Sequence, residues 1–160
     1  MATAGFTVSS RLPATADAVW ARVTTIEGVN HELMPLCRMR GPRAVRDLTP
    51  ETVVLGERVA RFWILALGVM PIDYDDLVLV ELEPGRGFHE RSTMLTQRVW
   101  EHRRTLEPDG DGCVVTDHIR FEPRGPLPGA ALRPLYRLVF RHRHRRLRRW
   151  FSAAPGARPA

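Results

Sequence analysis

Four residues of this chain have the types and spacing to do chemistry together: Glu90, His102, Arg104 and Asp117. Each falls in a segment that alternates like a strand, where residues two apart share a face. Trp100, His102, Arg104 and Leu106 then share one face of the run 98–107, and Val115, Asp117, Ile119 and Phe121 share the more apolar face of 113–122. Phe88, Glu90, Ser92 and Met94 do the same on 88–95. The tight turn Pro108-Asp109-Gly110-Asp111-Gly112 makes Arg104 and Asp117 cross-strand neighbours. A slip of one residue would reverse these faces. A histidine beside a carboxylate exchanges protons near neutral pH, and burial tunes both groups. The same four residues also read as a satisfied polar network that orients the sheet, with Arg104 paired to Asp117 and His102 hydrogen-bonded to a neighbour.

The elements that must position them follow from the pattern. Residues 6–12 alternate as a first strand, with Phe6, Val8, Ser10 and Leu12 on one face, and Pro13 ends it. Thr15 is placed to cap a short helix whose first turn holds Asp17 and whose Val19, Trp20 and Val23 face inward. A second short helix runs from about Ile26 to Met34 and stops at Pro35. A short strand is expected at 38–40, and the stretch 41–56 is mixed and rich in turn residues. Strands over 57–67, 72–83, 88–95, 98–107 and 113–122 are separated by short turns, which argues for antiparallel hairpins. After the loop 123–129, Leu132, Leu135, Tyr136, Val139, Leu147 and Trp150 recur at helical spacing, with Pro134 expected in the first turn. This predicts one domain over 1–152 and a frayed tail over 153–160.

Composition narrows the function classes. The 160 residues are 44% hydrophobic and 26% charged, enough to bury a core. No apolar run reaches the length of a membrane span, and the N-terminus lacks a secretory signal, so a cytoplasmic location is expected. The net charge is +6, yet all 24 basic residues are arginine, a bias that base composition can produce without a polyanion partner; no nucleic-acid partner is expected. The run from Arg141 to Arg149 is the densest charge cluster and could make weak contact with an anionic surface, although a solvated helix face accounts for it. Asp73, Asp75 and Asp76 around Tyr74 read as a solvated strand edge, without His or Cys at ligand spacing. His142 and His144 sit two apart on a helix and point in different directions. Cys37 reads as a small buried hydrophobe. No phosphate-binding glycine pattern follows a strand, and no cofactor or metal is expected.

The order strand, two short helices, six strands, one long helix resembles the helix-grip fold of the START/Bet v1-like (SRPBCC) superfamily, which includes polyketide cyclases. The local patterns behind the resemblance are Ala16-Asp17-Ala18-Val19-Trp20, Trp100-Glu101-His102, the segment from Thr116 to Pro123, and Phe140-Arg141-His142-Arg143. The resemblance implies an α+β fold in which a seven-stranded antiparallel curved sheet wraps a long C-terminal helix, with two short helices after the first strand. It also implies a small hydrophobic or amphipathic ligand, lipid- or polyketide-like, held between sheet and helix. Trp63, Glu90, Met94, Trp100, His102, Arg104, Asp117, Ile119, Phe121, Tyr136 and Val139, together with Trp20 or its neighbours, are the expected lining. A cyclase or aromatase in the same cavity would use His102 as general base and Arg104 to hold an oxyanion. A third reading is an interaction module that docks through the arginine-rich helix.

Overall fold

A computed structural model of the chain describes residues 3–153. Ala153, the first residue of the expected tail, closes the last helix, and 154–160 lie outside the described residues. β1 (Ala4–Leu12) leads into α1 (Ala16–Val23) and α2 (Ile26–Leu33), followed by β2 (Cys37–Arg40), β3 (Arg58–Ala66), β4 (Met70–Glu83), β5 (Gly87–Met94), β6 (Gln97–Asp109), β7 (Gly112–Pro123) and α3 (Gly129–Ala153). The strands form one antiparallel seven-stranded sheet in the order β1-β7-β6-β5-β4-β3-β2. From β3 to β7 neighbours in sequence are neighbours in space, as short hairpin turns require, and β2 pairs with β3 across the longer stretch 41–57. The expected α+β helix-grip architecture is the one observed.

Both short helices begin at a threonine whose hydroxyl accepts from a backbone N–H of the first turn: Thr15 from Ala18 (3.3 Å) and Thr25 from Gly28 (2.9 Å). The stretch 41–56, illegible in sequence, is tied to the α1–α2 junction through Ile26 N to Arg46 O (2.9 Å) and Leu48 N to Thr24 O (2.9 Å). That anchoring buries Leu48 and Val53 against Ala60, Phe62, Leu77 and Leu79. A second cluster joins Leu12, Val19, Val23, Leu106, Cys113 and Val115 to Leu147 and Phe151 at the end of α3. A third sets Phe6, Met94, Trp100, Ile119 and Phe121 against Phe140 in its middle.

Three expectations about side-chain placement are corrected. Pro134 lies in the second turn of α3, because the helix already starts at Gly129. Its missing N–H leaves the carbonyl of Ala130 without that partner, and Ala130 is exposed, so water can serve instead. Trp150 is 42% exposed and lies outside the core stripe, with the Arg22 guanidinium 3.6 Å from its ring centre and His31 edge-on to it. Leu132, Leu135, Tyr136, Val139 and Leu147 of the expected stripe do face the sheet or the space beneath the helix, and Phe140, Arg143, His144 and Phe151 join them on the inward face. Trp63 projects from the outer face of β3 and is 45% exposed, edge-on to Tyr74 across the ladder, because inward positions on β3 are taken by Phe62 and Ile64.

Candidate functional site

A cavity of about 510 Å³ lies between the sheet and α3. Its walls are mostly apolar: Val23, Ile26, Val29 and Leu33 from α1 and α2, Leu77 and Leu79 from β4, and Leu138, Val139 and Phe140 from α3. Such a wall with a few polar groups aimed inward is how small-molecule sites are built. A wider, shallow groove of about 1000 Å³ runs past Arg22, Arg38, Arg40, Arg43 and Arg46. Its acids, Glu27 and Asp47, are exposed, so burial gives that groove none of the electrostatic tension found in the cavity.

The hairpin registers put the chemistry-bearing residues on the inner face. Glu90 stands opposite His102, and Arg104 stands opposite Asp117. Of the expected lining, Glu90, Met94, Trp100, His102, Tyr136 and Val139 reach the cavity. Val23, beside Trp20, reaches it too; Trp20 itself packs half-buried against the cluster around Leu12. Arg104, Asp117, Ile119 and Phe121 face inward but are sealed behind the cavity wall, and Trp63 is on the outer face. Arg104 therefore does not offer its guanidinium to anything in the cavity, which removes it as a holder of an oxyanion there.

Arg104 is instead the centre of a buried network. Its Nε and Nη2 donate to the two carboxylate oxygens of Asp117, both at 2.7 Å, while Nη1 and Nη2 donate to the two oxygens of Glu32, both at 3.0 Å. Such forked contacts are what a guanidinium makes best. Arg143 donates from Nε to Glu32 at 2.9 Å, and His144 and His102 each present Nε2 to Asp117 at 3.0 and 2.9 Å. Two acids and two arginines balance in charge. Burial by itself would raise the Glu32 and Asp117 carboxyls, but Arg104, with Arg143 beside Glu32 and His102 beside Asp117, holds both below their ordinary values. Burial would likewise lower Arg104, and Asp117 and Glu32 more than offset it.

On the cavity side of His102 the arrangement changes. With Nε2 committed to Asp117, Nδ1 faces Glu90 Oε2 at 3.6 Å. Glu90 and Asp75 both line the cavity, 6% and 4% exposed, and the Glu90 carboxyl bears directly on Asp75. Asp75 Oδ1 and Glu90 Oε1 are buried without a hydrogen-bond partner. Burial first, then the neighbouring Glu90 charge, push Asp75 well above the usual carboxylate range. Asp73 also lines the cavity, accepting from the backbone N–H of Tyr74 (2.8 Å) and from the Thr96 hydroxyl.

The aspartates of β4 are thus not a solvated edge. Alternation sends Asp73 and Asp75 inward and leaves only Asp76 on the outer face, where Arg61 grips it at 2.7 and 2.8 Å. The signal was present in the sequence: Asp73, Asp75, Leu77 and Leu79 have the same parity, so the face of the two leucines had to carry the two acids. Glu32, Arg143 and His144 escaped the sequence reading because charge on a helix is read as solvated. Cys37, half-buried, lines the cavity, and burial pushes its thiol up, away from the reactive thiolate. On α3, Arg141, Arg145, Arg148 and Arg149 are exposed, whereas Arg143 is bound to Glu32 and Arg146 donates to the His31 carbonyl at 3.0 Å. Among the described residues no helix is long and apolar enough to cross a membrane.

Residues 10–151 match the family model of a domain of unknown function, DUF8410. The chain belongs to that family. No curated protein matches this DUF8410 chain significantly in sequence. Its fold recurs in solved structures of low identity. Protein CV1439 from Chromobacterium violaceum is 15% identical over 94% of this chain and 98% of that one, with a TM-score of 0.71. A START superfamily protein from Mycobacterium smegmatis is 14% identical over 94% and 97%, with a TM-score of 0.59. DynU16, a protein of the dynemicin biosynthetic locus, is 18% identical over 97% of this chain and 49% of its own, with a TM-score of 0.62. The DUF8410 chain therefore has the START/Bet v1-like helix-grip fold. Fold alone does not settle function, which has to be argued from the cavity.

Proposed function

We propose that this protein binds a small hydrophobic or amphipathic molecule, lipid- or polyketide-like, in the cavity between the sheet and α3, in the cytoplasm. The observation that carries the reading is the cavity itself: about 510 Å³ of mostly apolar wall into which a few polar groups project, Asp75, Glu90 and His102 among them. An apolar void of this size gains from being filled, and the polar group fixes which way round the filler sits. The polar anchors are Glu90 and His102, with Asp75 added; Met94, Trp100, Tyr136 and Val139 supply contact area. Arg104 and Asp117 support the site from behind by fixing His102. Native mass spectrometry of protein purified without detergent tests this, with an extra mass of one small molecule expected to vanish on denaturation. Apo protein that also takes up no apolar fluorescent dye would sink it.

A second reading has its own support. Asp75, Glu90 and His102 stand side by side against the ligand space, carboxyls next to an imidazole, which suits general acid–base work such as the ring closure of a polyketide-like substrate. His102 acts there as the base, with Asp117 orienting its ring. A cyclase turns substrate over with a bell-shaped pH–rate profile that His102→Gln abolishes, whereas a carrier binds stoichiometrically and returns the ligand unchanged.

A further inference from the structure

We propose that the molecule this cavity is built for carries a basic amine on an apolar body, with its ammonium group seated against Asp75 and Glu90. The proposal deepens the ligand-binding reading above and rests on it.

Three observations converge. Asp75 Oδ1 and Glu90 Oε1 are buried acceptors with nothing donating to them, and both residues line the cavity. Buried polar atoms are normally satisfied, so a pair of orphaned acceptors beside an empty space points to donors that arrive from outside. Second, the acids facing the cavity exceed what the protein's cations answer. Of the arginines that reach the buried interior, Arg104 is taken by Asp117 and Glu32, and Arg143, though it lines the cavity, is bound to Glu32. The chain has no lysine. The groups facing the ligand space are Cys37 from β2, Asp73 and Asp75 from β4, Glu90 from β5, His102 from β6, and Tyr136 and Arg143 from α3. Third, the wall beside the acids is aromatic: Phe88 is edge-on to His102 at 5.0 Å, and Trp100 and Tyr136 are edge-on to each other at 5.4 Å. Ring faces attract a cation and repel none of the apolar body behind it.

An ammonium supplies both missing items, donors and positive charge. Seated between the two carboxyls, it brings donors to both orphaned oxygens and a positive charge against the buried acids. A hydroxyl of the same skeleton satisfies one oxygen and leaves the charge problem untouched. A carboxylate meets like charge.

The test is calorimetric titration of the unaltered protein with 2-naphthylmethylamine, 2-naphthalenemethanol and 2-naphthoate, which share one aromatic body and differ in head group. The amine is expected to bind about tenfold more tightly than the alcohol, and the acid more weakly than either. In the Asp75→Asn, Glu90→Gln double variant the amine should lose its roughly tenfold advantage over the alcohol, and uptake of an apolar dye reports whether the cavity is intact. Alcohol binding as tight as amine binding overturns the amine assignment and leaves the cavity reading standing. Failure of all three compounds to bind overturns both. The comparison of probes on the unaltered protein decides the matter even if the double variant does not fold.

Discussion

Arg104 and Asp117 face each other across the β6–β7 ladder, joined by two 2.7 Å hydrogen bonds and closed off from water at 1% and 0% side-chain exposure. The pair stitches together parts of the chain that are remote in sequence. Glu32 brings α2 to Arg104, Arg143 brings α3 to Glu32, and His144 brings α3 to Asp117. The long helix is thus held over the sheet by charge as well as by Phe140 and Leu147.

Removing Arg104 strands both acids. Arg104→Met should destabilise the protein by about 3–5 kcal/mol, the usual cost of breaking a buried ion pair from one side. Arg104→Lys keeps the charge but loses the fork that spans Glu32 and Asp117, so it should recover only part of that. Urea unfolding of the three proteins decides; a loss for Arg104→Met no larger than for a surface arginine such as Arg120→Met would refute the role given to the network.

The buried acids pull the pH dependence of stability in opposite directions. Glu32 and Asp117 are depressed in the fold, so their contribution is complete above their unfolded values, near 4.5 and 3.8, and is lost as pH falls below them. Asp75 is raised, so its contribution is present below an unfolded value near 3.8 and is lost as pH rises toward its folded value. Asp75→Asn should remove the second decline and leave the acid limb in place. Thermal melts across the acid-to-neutral range will reveal it: parallel curves for the two proteins would contradict the burial of an ionisable Asp75.

Filling the cavity should separate binding from folding. Val139→Trp adds bulk from α3 into open space, so uptake of an apolar dye should drop while the melting temperature holds or rises. Trp100→Ala works the other way, removing a ring that meets Tyr136, Phe121 and Phe140, at a cost of about 3–5 kcal/mol. Equal dye uptake by Val139→Trp and the unaltered protein would mean the dye sits elsewhere.

Gly87 opens β5 where a Cβ would lie 2.2 Å from the Arg104 carbonyl oxygen. Gly87→Ala must push β5 and β6 apart at the point that sets Glu90 opposite His102. The expected loss is about 1–3 kcal/mol, accompanied by weaker dye binding. Unchanged unfolding and binding would show that the two strands can separate there without cost.

Period-two alternation was enough to place Glu90, His102, Arg104 and Asp117 on one face, and the turn 108–112 set the Arg104–Asp117 pairing that the structure contains. What alternation could not give is depth. Arg104 and Trp100 share a face, yet one is sealed beneath α2 and α3 and the other borders open space, because depth depends on how helices cover the sheet. The inward face of α3 was read only in part for a related reason. Arg143 and His144 interrupt the apolar stripe, and only their partners Glu32 and Asp117, far away in sequence, make them interior residues. Asp73 and Asp75 were legible by parity but outweighed by the habit of placing acids in water.

The absence of lysine, first met as a matter of composition, limits what the cavity can do to a ligand. A ketone or aldehyde held there has no side-chain amine with which to form an imine, so that covalent route to carbonyl activation is closed. The guanidiniums behind the wall keep their protons at any ordinary pH and cannot act as acids or bases. The short line from Asp75 through Glu90 to His102 is where carboxyls and an imidazole stand close enough together to pass a proton.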